Sequence, residues 1–89
     1  MSWVQIERKH AEMYGRNFVF CEEASERKFL ADAILEAFNF LKREFIEDAF
    51  DYCLKNMKSP CERKEFLNIV KGHIGKKITF NHVSNYKNF

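Results

Sequence analysis

Trp3-Val4-Gln5-Ile6-Glu7-Arg8 alternates apolar and polar side chains at the amino end of an 89-residue chain, and how it is read decides the fold. A period of two puts successive side chains on opposite faces of a strand, with Val4 and Ile6 on one side and Trp3 on the other. Asn17-Phe18-Val19-Phe20-Cys21 is short, aromatic and β-branched, which makes a second strand. Gly15 lies between them and readily supplies a positive φ, so the two strands are expected to form a hairpin with a loop over residues 11–16.

Residues 25–57 contain neither Gly nor Pro, and Ser25 offers an N-cap oxygen with Glu26 placed favourably for the helix dipole. A single helix of that length would run about 48 Å. Leu30, Ala33, Ile34, Ala37, Phe38 and Leu41 form one apolar stripe, whereas Phe45, Ile46, Ala49, Phe50, Cys53, Leu54 and Met57 form another. In a continuous helix the two stripes would point nearly opposite ways, so a break is expected near Lys42-Arg43. The rival is an unbroken helix that packs one end on a second copy of the chain.

Ser59-Pro60-Cys61-Glu62 has the pattern of a capping box and predicts a further helix with Phe66, Leu67, Val70 and Ile74 inward. Gly72 and Gly75 are its natural stops. Lys77-Ile78-Thr79-Phe80-Asn81-His82-Val83 then alternates as a third strand. The expected fold is one α+β domain over residues 1–89, ordered ββαααβ, with three helices on one face of a small three-stranded sheet.

The three cysteines, Cys21, Cys53 and Cys61, have no disulfide-framework spacing and read as reduced, buried thiols. No stretch resembles a signal peptide or a membrane span, and a cytoplasmic protein is expected. The net charge is +2, unevenly distributed: residues 22–54 hold nine acidic and four basic side chains, residues 55–89 two and eight.

Chemistry-bearing motifs are scarce. Cys53, Cys61, His73 and His82 are too widely spaced for a zinc finger. Glu7-x-x-His10 has a spacing used in carboxylate-bridged metal sites, but there is one copy and it reads as solvated charge. With three glycines there is no phosphate loop or dinucleotide fingerprint. Neither a metal, a cofactor nor catalysis is expected.

Binding surfaces remain. Glu44, Glu47, Asp48 and Asp51 lie opposite the second apolar stripe and offer an acidic helix face to a protein partner. Trp3 and Val19, on the outer side of the sheet, would add an aromatic anchor. The alternative is nucleic acid, held by Lys64, Lys71, Lys76 and Lys77 with Tyr86 stacking on bases. A non-catalytic inhibitor, adaptor or regulator of a protein partner is the leading expectation, with a homodimer also compatible; a cryptic Cys or metal enzyme is the third reading. In brevity and in richness in Lys, Asn, Phe and Ile the chain resembles, in general character, the small accessory and counter-defence proteins of phages and mobile elements.

Overall fold

A computed structural model describes residues 3–80. The elements are α1 (Trp3–Tyr14), β1 (Phe18–Val19), α2 (Ala24–Ala37), α3 (Arg43–Asn56), β2 (Cys61–Glu62) and α4 (Arg63–Phe80). About three quarters of the described residues are helical, and the one sheet has two strands. The expected ββαααβ order with a three-stranded sheet is therefore corrected to a mainly helical fold.

The amino-terminal segment accounts for much of the difference. Trp3, Ile6 and His10 are buried on one side of α1, at spacings of three and four that a helix aligns. A strand would have paired Val4 with Ile6, yet Val4 is 57% exposed. Gly15 does adopt a positive φ of 62°. It closes α1 rather than a hairpin, its N–H donating to the Ala11 carbonyl at 2.9 Å.

β1 has no neighbour from the amino-terminal segment. It pairs antiparallel with β2, Phe18 opposite Glu62 and Val19 opposite Cys61. That pairing also revises the expected helix start at Ser59. The Ser59 hydroxyl accepts the Cys21 N–H at 3.3 Å and donates to the Glu22 carboxylate, so it ties two loops together, and α4 begins only at Arg63.

The break between α2 and α3 falls where the change of stripe required it, across residues 38–42. Ser25, expected to cap α2, lies inside the helix; the cap position is Glu23, without a side-chain hydrogen bond. α4 runs through Gly72 and Gly75 to Phe80. Residues 77–80 are thus helical rather than a third strand, and 81–83 lie outside the described residues. The inward stripe of α4 continues through Ile74, between the two glycines, to Ile78 beyond them, both fully buried. Burying two Ile side chains stabilises by about 2 kcal/mol each, against about 1 kcal/mol lost per helical glycine, so the helix continues.

The buried residues form one cluster. Phe50 of α3 meets Phe66 of α4 at 5.5 Å between ring centroids, and Trp3 of α1 meets Phe38 at 5.4 Å. Among the described residues no helix is long and apolar enough to cross a membrane.

Candidate functional site

α3 turns Ile46, Ala49, Phe50 and Cys53 inward, and α4 does the same with Phe66, Leu67, Val70, Ile74 and Ile78. The residues flanking these stripes meet along an outer seam between the two helices. There the Tyr52 ring stacks on His73 at 4.9 Å with 30° between planes. Next to it Lys77 Nζ donates to Asp48 at 2.6 Å. Tyr52 remains 44% exposed. The hydrogen bond from Lys77 holds the Asp48 carboxyl below its usual range. Burial, with Lys77 adding to it, lowers His73, which keeps the stacked imidazole neutral at pH 7.

The acidic face of α3 does project outward: Glu44, Asp48 and Asp51 are exposed and Glu47 is half-buried. Most of its charge is already matched within the chain. Arg27, reaching across from α2, donates to Glu47 and Asp51, each at 2.8 Å, and Lys77 engages Asp48. Glu44 alone of the four has no ion-pair partner among the described residues. Asp48 and His73 share the seam, Asp48 exposed and His73 half-buried.

The basic face shows the opposite balance. Lys64, Lys71 and Lys76 are exposed on α4, and none has a carboxylate partner among the described residues. Lys64 and Lys71 share one side of the helix, roughly 10 Å apart along its axis, and Lys76 lies between them and the seam. Lys77 belongs to the seam instead, and Tyr86 lies outside the described residues. The aromatic sheet face expected at Trp3 and Val19 does not exist. Both are core residues, 9% and 1% exposed, because α1 is a helix and the ribbon packs against α4.

One constellation was not legible as such. His10 and Glu26 are 0% and 1% exposed. The carboxylate accepts from His10 Nε2 at 2.5 Å and from Arg16 at 2.6 Å, with the Phe20 N–H at 3.4 Å. Arg16 lies over the rings of Tyr14 and Phe20 at 4.8 Å. The solvated reading of Glu7-x-x-His10 is thereby corrected for the histidine. Its signal was the spacing from Trp3 and Ile6, and Glu26 likewise sits four residues before the buried Leu30. His10 Nδ1 is buried with no hydrogen-bond partner among the described residues, and the His10–Glu26 contact joins α1 to α2.

Among the described residues no group of three or more His, Cys, Asp or Glu could hold a metal ion. No family model matches the chain, and neither a curated protein nor a solved structure shows significant similarity to it.

Proposed function

We propose that this is a small non-catalytic binding protein that occupies a surface of a macromolecular protein partner, as an inhibitor, adaptor or regulator, through the α3–α4 seam. The observation that carries the reading is Tyr52: an aromatic ring held in place by His73 yet nearly half exposed. Tyrosines so placed are frequent binding anchors because they present a large amphipathic surface at little entropic cost. Three free, buried thiols support a reducing, cytoplasmic setting.

The second reading is nucleic-acid binding by Lys64, Lys71 and Lys76, favoured by their lack of internal partners. The test is capture from nuclease-treated lysate, followed by affinity measurement on the purified partner. The protein-partner reading expects Tyr52→Ala to weaken binding tenfold or more, with little change between 50 and 200 mM salt. Loss of all capture on nuclease treatment, with affinity for a DNA or RNA oligonucleotide falling roughly 40-fold over that salt range for three phosphate contacts, would favour the second reading.

A further inference from the structure

Cys21 and Cys61 are 40 residues apart in sequence, and their sulfurs are in contact at 3.7 Å, both buried. The contact follows from the fold. β2 places Cys61 opposite Val19, the chain leaves β1 and turns at Cys21, and the Ser59 hydroxyl holds the Cys21 N–H from the far side. The Cys61 thiol can also donate to the Val19 carbonyl at 3.8 Å. Neither thiol has a place in the seam. A disulfide needs an Sγ–Sγ separation near 2.05 Å, so the two side chains must close by about 1.7 Å.

We propose that Cys21 and Cys61 are a redox pair, joined as an intramolecular disulfide when the protein meets a low-molecular-weight disulfide oxidant. The Cys61 thiolate attacks one sulfur of the oxidant, forming a mixed disulfide and releasing one small thiolate. The Cys21 thiolate then attacks the Cys61 sulfur of that mixed disulfide, forming the Cys21–Cys61 bond and releasing the second small thiolate. Two protein thiols lose two electrons, the oxidant gains them, and the two protons pass to the two small thiols released. Cys61 is the entry point because it is 8% exposed against 1% for Cys21, and because a ribbon of two residues per strand opens more easily than a helix. Burial pushes the Cys61 thiol up to about 12 and raises that of Cys21. The attacking thiolate is therefore scarce near neutral pH, and the pair reacts slowly, faster as pH rises. Cys53, buried in α3 and likewise raised to about 12 by burial, is the thiol left over.

The test uses the full chain, incubated with excess oxidised glutathione at pH 8, denatured, alkylated and analysed by intact mass and peptide mapping. The expected product is 2 Da lighter before alkylation, takes one alkyl group, at Cys53, and yields a linked Cys21–Cys61 peptide. Closing a loop of this length raises Tm by roughly 10 °C or more relative to the reduced protein. Cys53→Ala should still form the link, and Cys61→Ser should not. Three alkylatable thiols after treatment, a link through Cys53, or only glutathione adducts or intermolecular bonds would overturn the proposal, and these outcomes on the unmodified protein do not depend on any variant folding.

Discussion

His10 and Glu26, sixteen residues apart on two helices, meet in the core, where a carboxylate is tolerated only because the imidazole, the Arg16 guanidinium and a backbone N–H all point at it. Burial lowers the His10 pKa, Glu26 opposing it by hydrogen bond and charge and Arg63 and Arg16 adding to the lowering. The unfolded chain binds a proton near pH 6.5 and the folded chain does so only at lower pH, so acidification favours unfolding. Stability is expected to fall as pH drops from 7 to 5, with a slope of at most about 1.4 kcal/mol per pH unit for one proton. His73 adds in the same direction. The depressed carboxylates Glu22, Asp32 and Asp48 lose their contribution only below their ordinary values of 4.5, 3.8 and 3.8, as pH falls through their lowered folded pKa. Urea titrations of His10→Gln should show a flatter profile between pH 7 and 5; an unchanged slope would mean that folding leaves the His10 pKa where it is in the unfolded chain, and a steeper one that folding raises it.

The helices show where local pattern and packing part company. Over six residues an alternating pattern and a helical one overlap, and Trp3-Val4-Gln5-Ile6-Glu7-Arg8 satisfies both. His10 resolves them, but only once a histidine is placed in the core. Gly15 and Gly72 behave oppositely, although the sequence marks one as a loop residue and the other as a helix stop. Gly15 has φ 62° with nothing within 4 Å of the position an added methyl would take, so Gly15→Ala is expected to destabilise by about 1 kcal/mol from backbone strain alone. Gly72 is exposed within α4, also with open space, so Gly72→Ala is expected to stabilise by about 0.5–1 kcal/mol. Thermal melts of the two variants should move in opposite directions; a fall in Tm for Gly72→Ala would contradict a continuous α4.

At the scale of the molecule, α3 and α4 form the most extensive helix pair, and Phe50 against Phe66 is at its centre. An 89-residue domain has a total stability of about 4–13 kcal/mol. Phe50→Ala removes about 3–5 kcal/mol, so it is expected to lower Tm by more than 15 °C or to abolish the helical circular dichroism at 25 °C. The same pair of helices carries the seam, and a loss of core packing there would be accompanied by loss of binding. Tyr52→Ala, which truncates a half-exposed ring, separates binding from stability.

The sequence by itself determined that the apolar stripe changes face near Lys42-Arg43, that the α3 carboxylates turn outward and that Phe66, Leu67, Val70 and Ile74 turn inward, because each follows from side-chain spacing within one element. Only the tertiary structure decided that residues 3–14 are helical, that β1 pairs with β2, that α4 passes its glycines, and that Arg27 and Lys77 neutralise most of the acidic face. Those outcomes depend on groups brought together from distant parts of the chain, where burial worth several kcal/mol outweighs local preferences worth about one.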